Sequence, residues 1–187
     1  MKRGLLIVIS GPSGSGKTTI CRNLIKMSRP AVFSISATTR PPRPGEKDGQ
    51  DYYFLTEQQF RSKIRKGELL EWATVYEHHY GTPKKPVLDN LRRGVNVLLD
   101  IDMQGALQVK EKFPGALLIF ILPPSLKVMK QRLLDRHQDS MASINLRLQK
   151  FKDELKYIPR YDHLVVNDNL ARAMKNVQKI IRQKKSG

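Results

Sequence analysis

Near its start, the chain has a glycine-rich loop directly after an apolar run, in the sequence LLIVISGPSGSGKTT. Residues 11–18 fit the pattern G-x-x-x-x-G-K-[ST]. Glycines let backbone N–H groups turn inward without Cβ clashes, and the start of a following helix adds the positive end of its dipole. In such a loop, Lys17 reaches the terminal phosphates and Thr18 binds Mg²⁺. Because an apolar strand precedes it and a helix follows, the pattern predicts a phosphate loop for a nucleoside triphosphate rather than a flexible Gly/Ser loop.

Two arginines in the next part of the chain are spaced to hold a second phosphate. They lie in SISATTRPPRPGEKDGQDYYF, residues 34–54, where prolines stiffen the chain between Arg40 and Arg43. Two guanidinium groups held in this way suit a phosphate monoester. Tyr52 could add a hydroxyl donor. This segment therefore predicts a binding site for a phosphorylated acceptor.

The following stretch, GELLEWATVYEHHYGTP, contains further candidate polar groups, namely Glu71, Tyr80 and Thr82. Taken alone, Glu71 is a typical surface carboxylate, and Tyr80 before a glycine is a typical turn aromatic. The adjacent His78 and His79 point opposite ways on an extended chain, and no Cys or further His lies nearby in the sequence. A metal site at the histidines is therefore not predicted.

Composition limits the class of protein that can surround these groups. With 187 residues, 40% of them hydrophobic, the chain can build one solid core. No apolar run reaches the roughly 20 residues of a membrane span, so we expect a cytoplasmic enzyme. The single cysteine, Cys21, excludes an intramolecular disulfide and fits a small buried apolar position.

The charge balance indicates a preference for polyanions. The chain has 34 Lys and Arg against 17 Asp and Glu, a net charge of +17. Nucleotides and nucleic acids both qualify as partners. Much of the excess lies on predicted helices such as residues 170–185, where basic side chains typically form a solvated face. We therefore expect nucleotide ligands, with no nucleic acid and no membrane as partner.

Short β-rich runs alternate with helical segments along the chain and predict an α/β fold with a parallel sheet. After the first strand, the runs are AVFSIS (31–36), VNVLLDID (95–102), ALLIFIL (116–122) and HLVVN (163–167). Right-handed β-α-β units would place helices on both faces, with ligands at the carboxyl ends of the strands.

Two segments interrupt this alternation. Residues 34–86 are rich in Pro, Gly, Tyr and charge, with short strand-like pieces such as YYFL and a helix predicted at EQQFRSKIRKG. Residues 125–157 form two predicted helices joined at RHQDS. Both segments leave from strand ends on the side of the phosphate loop, where they could close over a substrate.

The phosphate loop and the motifs SxSATTRPPRPGExxGxDYYF, GELLEW, YGT, LLDIDMQG and VVNDN resemble, in order and spacing, the guanylate kinase family. The resemblance covers essentially the whole chain. It implies one domain over residues 1–187, with a P-loop NTPase-type parallel sheet core flanked by helices. The core would comprise about 1–33, 87–124 and 158–187, with a small mixed α/β GMP-binding insert at 34–86 and a helical lid at 125–157.

The activity that this resemblance implies is Mg²⁺-dependent transfer of the γ-phosphoryl group of ATP to GMP, and to dGMP, giving GDP and ADP. It would serve purine nucleotide metabolism and GMP recycling. The implied GMP-binding residues are Ser36, Arg40, Arg43, Tyr52, Glu71, Tyr80, Thr82 and Asp100. The implied ATP-binding residues are Gly11, Pro12, Ser13, Gly14, Ser15, Gly16, Lys17, Thr18, Thr19, Arg136 and Asn167. The implied catalytic residues are Lys17, Arg43, Arg136 and Arg147, and the Mg²⁺ residues, partly through water, are Thr18, Asp100 and Asp102.

The chemistry of guanine agrees with this assignment independently. Guanine presents two donors side by side, N1–H and the N2 amino group, and one carboxylate such as Glu71 can accept both. Its O6 accepts from a hydroxyl such as Ser36 or Thr82. Adenine has an acceptor at N1, so its N1 lone pair and the Glu71 carboxylate would repel each other.

Three assignments keep an alternative. Asp100 and Asp102 end an apolar strand beside the phosphate loop and could hold the water shell of Mg²⁺, but either could instead cap the helix that begins near Met103. Arg132, one turn before Arg136, is either a further phosphate contact or a solvated helix residue. The turn at 137–143 also lacks the glycine and acidic pair common in the family, which leaves the closing motion open.

Two other protein classes share parts of this pattern. Guanylate-kinase-like modules of scaffold proteins bind phosphopeptides, but their phosphate loops are degraded, whereas Lys17 and Thr18 are present here. A kinase for a phosphorylated ribose would share the loop but has no evident use for Glu71. The oligomeric state, monomer or homodimer, stays open.

Overall fold

Strands and helices alternate along most of the chain. The computed structural model describes residues 3–27, 31–75, 77–135 and 140–186. The strands are β1 (Leu6–Ser10), β2 (Ala31–Phe33), β3 (Ala37–Thr38), β4 (Tyr53–Phe54), β5 (Leu69–Val75), β6 (His78–Pro83), β7 (Asn96–Asp100), β8 (Leu117–Leu122) and β9 (His163–Val166). The α-helices are α1 (Lys17–Met27), α2 (Glu57–Arg65), α3 (Lys84–Arg92), α4 (Met103–Lys112), α5 (Leu126–Leu134), α6 (Met141–Leu155) and α7 (Leu170–Ser186).

The central sheet has the strand order β2-β7-β1-β8-β9, and each of these neighbouring pairs is parallel. Alternate residues of β1 enter two cores, because successive side chains of a strand point to opposite faces. Ile7 and Ile9 pack in the cluster that includes residues of α1 and α7, whereas Leu6 and Val8 pack in the cluster that includes residues of α3 and α4. The predicted α/β class, with helices on both faces of a parallel sheet, is confirmed.

Cys21 belongs to the α1 side of this core and is fully buried, as predicted. Burial, together with the charge of Asp100, holds the pKa of its thiol well above the usual range. The thiol is therefore a packing group rather than a nucleophile.

The register of the central sheet brings the functional strand ends to one edge. Ile9 of β1 pairs with Asp100 of β7 on one side and with Ile119 of β8 on the other. The loop after β1, the carboxylate that ends β7 and the residue after β9, Asn167, therefore lie on the same side of the sheet.

A second sheet, in the order β4-β3-β6-β5, contains the antiparallel hairpin β5–β6. The strand expected over residues 31–36 is shorter than predicted, because the chain leaves the central sheet after Phe33 and joins the second sheet at Ala37. Phe60 of α2 fills the small core beneath that sheet. Gln108 of α4 joins the sheet to the main body, since its side chain accepts from Trp72 N at 3.2 Å and donates to Trp72 O at 2.6 Å.

Helices α5 and α6 pack on each other through the cluster of Met129, Leu133 and Ile144. Ser140 caps α6 by accepting from the backbone N–H of Ser143. The two helices predicted between residues 125 and 157 are thus present, while Arg136 and residues 137–139 of their connection lie outside the described residues. In the ranges that the structure describes, we find no helix with the length and apolar character needed to cross a membrane.

Candidate active site

The loop between β1 and α1 has the backbone conformation that its glycines predict. Gly11, Gly14 and Gly16 have φ values of 136°, 83° and 90°. A Cβ on Gly16 would lie 2.3 Å from Asn167 Nδ2. Lys17 folds back over the loop, and its Nζ donates to Gly11 O at 2.6 Å and to Pro12 O at 2.9 Å. The loop thus has the form of an anion cradle with an ammonium group at its mouth.

Thr18 and Asp100 meet beside this loop. Thr18 Oγ1 donates to Asp100 Oδ2 at 2.7 Å across the gap between α1 and β7. Hydroxyl and carboxylate oxygens are the ligands that Mg²⁺ prefers, and it commonly takes only one or two protein groups, with water and phosphate oxygens completing its shell. Within the described ranges, no cluster of three or more His, Cys, Asp or Glu side chains could hold a metal alone. The Thr18–Asp100 pair therefore suits a metal shared with a nucleotide.

Asp102 makes the capping interaction that the sequence left as an alternative. Its Oδ1 accepts from Gly105 N at 2.7 Å and caps the start of α4. Burial is the main cause that raises the pKa of this carboxyl, and its hydrogen bond with Gly105 opposes the shift. Asp102 also lines the cleft described below, so capping fixes the position of its carboxylate there.

Arg132 braces the phosphate loop from behind, and the interpretation as a merely solvated helix residue is wrong. Its Nη2 donates to Asn167 O at 2.9 Å, and its Nη1 donates to Ser15 O at 3.4 Å. Asn167 Nδ2 donates to the same Ser15 carbonyl at 2.8 Å. Asn167 is thus held between α5 and the loop, with its Oδ1 buried and without a hydrogen-bond partner in the described structure.

A cleft of about 320 Å³ opens between the phosphate loop, the second sheet and α6. The predicted site residues that line it are Gly11, Ser13, Lys17, Thr18, Ser36, Arg43, Tyr52, Glu71, Tyr80, Asp100, Asp102 and Arg147. Predicted residues outside this lining are Pro12, Gly14, Ser15, Gly16, Thr19, Arg40, Thr82 and Asn167. The fold thus gathers residues from widely separated parts of the sequence, while Arg136 lies outside the described residues.

The two arginines of the predicted phosphate fork take different positions. Arg43 lines the cleft, whereas Arg40 Nη2 bonds both carboxylate oxygens of Glu46, at 2.8 and 2.9 Å. Glu46 also accepts from Arg43 N at 2.7 Å, so it ties the two arginines together. Burial raises the pKa of Tyr52 to about 12, which keeps its hydroxyl protonated as a donor. In this structure Arg43 lines the cleft, whereas Arg40 is linked to it only through Glu46, which accepts from Arg43 N.

Glu71 is a buried carboxylate with 3% exposure, which excludes the surface role that it could have by sequence alone. It pairs with Thr82 across the β5–β6 hairpin, and Thr82 Oγ1 donates to Glu71 Oε1 at 2.5 Å. Burial is the main cause that raises the pKa of Glu71 to about 7, against the hydrogen bond from Thr82. A carboxylate in such surroundings selects a ligand with hydrogen-bond donors that fit it.

Sequence reasoning missed Gly105, which lets this carboxylate approach α4. A Cβ built on Gly105 would lie 2.3 Å from Glu71 Oε2 and 3.2 Å from Asp102 Oδ1. A glycine inside a helix is unfavourable by about 1 kcal/mol relative to alanine. A glycine in the helix predicted after Asp102 was therefore the sequence signal that could have indicated a close contact at this position. Glu154, a second missed residue, also lines the cleft.

Arg147 joins α6 to the phosphate loop. Its Nη1 donates to Ser13 Oγ at 2.7 Å, and its Nε donates to Ser143 Oγ at 3.4 Å. The helix predicted to act as a lid therefore lies against the loop, with its guanidinium group at the edge of the cleft.

Comparisons with known proteins agree with this geometry. A family model described as guanylate kinase matches residues 3–184. A guanylate kinase of Caldanaerobacter subterraneus subsp. tengcongensis is 51% identical over 180 residues, covering 96% of this chain and 87% of that protein. A guanylate kinase of Coxiella burnetii is 48% identical over 181 residues, covering 97% and 88%. A crystal structure of guanylate kinase from Anaplasma phagocytophilum superposes with a TM-score of 0.82 at 33% identity, covering 98% of this chain and 87% of that chain.

Replacing Gly105 with alanine is expected to weaken GMP binding on the order of tenfold, because the new methyl group would displace the Glu71 carboxylate. Isothermal titration with GMP measures the effect. Gly115→Ala is the matched control, since nothing lies within 4 Å of a Cβ built at Gly115. Equal GMP affinity of the two variants would contradict a role for the Gly105–Glu71 contact.

Proposed function

This chain belongs to the guanylate kinase family, and we propose that the cleft between its phosphate loop and its second sheet is the site where phosphate passes from ATP to GMP. The protein is an ATP:GMP phosphotransferase that converts GMP to GDP. The observation that carries the assignment of the site is that Glu71, buried and hydrogen-bonded to Thr82, lines the same cleft as Lys17 and Thr18.

In this proposal the second sheet binds the base of the acceptor nucleotide. Ionised Glu71 accepts the N1–H and N2–H donors of guanine, while Ser36, which lines the cleft, donates to O6; the single hydroxyl proton of Thr82 is donated to Glu71 and positions that carboxylate. The acceptor phosphate lies toward Arg43, whose charge and fork geometry suit a monoester. Tyr52 and Tyr80 add hydroxyl donors there, and Arg40 takes part directly or by positioning Arg43 through Glu46. This assigns acceptor binding to the segment 34–86.

The phosphate loop takes the triphosphate of ATP in the same proposal. Its backbone N–H groups and Lys17 hold the phosphates, and Asn167 is the adenine contact that the resemblance implies. Thr18 and Asp100 would hold Mg²⁺, with Asp102 nearby, partly through water. Bound there, Mg²⁺ would neutralise charge on the phosphates.

Phosphoryl transfer leaves little covalent work for the protein, so positioning and charge stabilisation supply the rate. Lys17 and Arg43 approach the transfer position from the donor and acceptor sides. Arg147 approaches it from α6, and Arg136 is proposed to join it from the same lid, over residues 125–157. The remaining segments, 1–33, 87–124 and 158–187, would form the core that holds these groups.

The proposal extends to dGMP as a second acceptor, because base and phosphate are the parts of the nucleotide that the groups above bind. It also places the enzyme in purine nucleotide metabolism and GMP recycling in the cytoplasm. The buried free thiol of Cys21 is compatible with such a reducing compartment.

A coupled ADP-release assay over GMP, dGMP, AMP, CMP, UMP and ribose phosphates tests the acceptor class. We expect turnover with GMP and with dGMP and very poor turnover with AMP, since a site built for donors rejects a base that lacks them. Comparable rates with GMP and AMP would exclude Glu71 as the base reader. Turnover of a ribose phosphate alone would favour the other kinase class.

The raised pKa of Glu71 predicts a pH dependence that identifies its role. Only the ionised carboxylate accepts both guanine donors, so kcat/KM for GMP should rise about tenfold per pH unit below about 7 and level off above it. Glu71→Gln should lose about 100-fold in kcat/KM for GMP and should lack this acidic limb, because it has no titrating carboxylate.

Arg43→Ala is the control for that profile. It should weaken GMP and other monophosphates alike, since the guanidinium reads phosphate and not base, and it should retain the acidic limb. If the Glu71→Gln enzyme kept a kcat/KM for GMP within a few-fold of the wild type, the base would be recognised by Ser36, Thr82 and backbone groups instead of Glu71.

Arg147→Ala is expected to lower kcat by about 100-fold and to change KM for GMP by less than about threefold, because its charge acts on the transferring phosphate. Steady-state kinetics at saturating ATP measure both constants. Lys152→Ala, an exposed position on the same helix, should match the wild type. An effect of Arg147→Ala on KM alone would place this arginine in acceptor binding instead.

A further inference from the structure

Glu154 is a carboxylate of the cleft to which the proposed reaction gives no role. It lies near the end of α6 and lines the cleft together with Arg147. Its Oε2 is buried and makes no hydrogen bond within the described part of the protein. A buried carboxylate oxygen without a donor is unfavourable, so the position calls for a donor from a ligand.

The geometry of α6 keeps this carboxylate over the cleft. Arg147 and Glu154 are seven residues apart, about two helical turns, and so lie on the same face of the helix. The bond from Arg147 to Ser13 Oγ, at 2.7 Å, holds that face against the phosphate loop. The helix therefore brings one cation and one anion to the cleft together.

The charges around Glu154 indicate on which side of the cleft it lies. Burial raises the pKa of its carboxyl, and the charges of Lys17, Lys150 and Arg147 oppose that shift. The charge of Asp102 raises the pKa of Glu154 and also that of Glu71. Glu154 thus lies on the side of the cleft where Lys17 and Arg147 meet Asp102, whose charge also acts on Glu71.

The donors of GMP decide what Glu154 can bind. The phosphate oxygens are acceptors and repel a carboxylate, and Glu71 takes the paired N–H donors of the base. The hydroxyls of the ribose, which lies between base and phosphate, are the remaining donors, and Glu154 Oε2 is a buried acceptor without a donor among the described residues. Of the other two carboxylates, Asp100 accepts from Thr18 through Oδ2 and Asp102 accepts from Gly105 N through Oδ1, so each already has one oxygen engaged.

We propose that Glu154 accepts a hydrogen bond from a ribose hydroxyl of bound GMP and is the residue that distinguishes the ribonucleotide from its deoxy forms. The inference rests on the proposed function of the cleft and adds a third recognition element, after base and phosphate. Because Glu154 and Arg147 lie on the same helix, a position of α6 that lets Glu154 bind the sugar also places the Arg147 guanidinium near the phosphate that is transferred.

The test compares kcat/KM for GMP, 2′-deoxy-GMP and 3′-deoxy-GMP in the wild type, Glu154→Ala and Glu154→Gln. A hydrogen bond to a charged group is worth about a 10- to 100-fold change, so Glu154→Ala should lose that factor for GMP. One of the two deoxy nucleotides should change by less than about threefold, because it lacks the bond already. Glu154→Gln retains one acceptor oxygen and should show a smaller loss with the same pattern.

Asp153→Asn is the matched control, since Asp153 is exposed on the neighbouring position of α6 and bonds only Lys156 among the described residues. It should match the wild type with all three nucleotides. Thermal unfolding of each variant separates a loss of fold from a loss of recognition.

Three outcomes would overturn the proposal. Equal losses for GMP and both deoxy nucleotides would make Glu154 an electrostatic partner of Lys17 or Arg147. Lost discrimination between GMP and inosine monophosphate, with the sugar preference intact, would place Glu154 at the N2 amino group of guanine. Lost discrimination between ATP and 2′-deoxy-ATP would place it on the donor. Failure of the wild type to phosphorylate GMP at all would instead refute the proposed use of the cleft.

Discussion

The structure depends on the glycine-rich loop after β1, whose backbone amides can turn inward to form an anion cradle. Gly11, Gly14 and Gly16 take positive φ values, which glycine adopts without strain, and most of the loop lies outside any helix or strand, so its shape depends on support from surrounding side chains. That support comes from three directions: the Lys17 ammonium group on its own carbonyls, Arg132 and Asn167 on Ser15 O, and Arg147 on Ser13 Oγ. The parallel sheet makes this possible, because the carboxyl ends of its strands meet at one edge.

Acidic and basic side chains occupy different parts of the cleft. Three carboxylates, Glu71, Asp102 and Glu154, line the cleft, and the charge of Asp102 raises the pKa of both glutamates. Cations gather around the path of the phosphates, from Lys17, Arg43 and Arg147. Burial strengthens the charge interactions of Glu71, since charges in a low-dielectric environment interact more strongly than in water, whereas Lys17 and Arg147 are partly buried and Arg43 is exposed. A nucleotide has the complementary division, with donors on its base and sugar and negative charge on its phosphate.

The sequence predicted those parts of the protein that local patterns encode. The phosphate loop, the runs that became β1, β7, β8 and β9, and the two helices of residues 125–157 follow from glycine spacing and apolar periodicity. The burial of Glu71 could not be predicted in this way, because it depends on the pairing of β5 with β6 and on contact with α4. The same holds for Arg132, whose partners at Ser15 and Asn167 are distant in sequence. The resemblance to a family supplied most of the remaining site residues. Gly105 ends one of its motifs, LLDIDMQG, but the resemblance gave no role to Gly105 or to Glu154.

The two hydrogen bonds between Trp72 and Gln108 bear on how the two substrates affect each other. They join β5, which carries Glu71, to α4, whose first turn is capped by Asp102. The two bonds hold β5 against α4, so Glu71 and Asp102 keep a fixed spacing, and any coupling between ligands at these two carboxylates is a single free energy. Thermodynamic reciprocity then requires that the factor by which GMP changes the affinity for ATP equals the factor by which ATP changes the affinity for GMP. The order in which the substrates arrive leaves that factor unchanged.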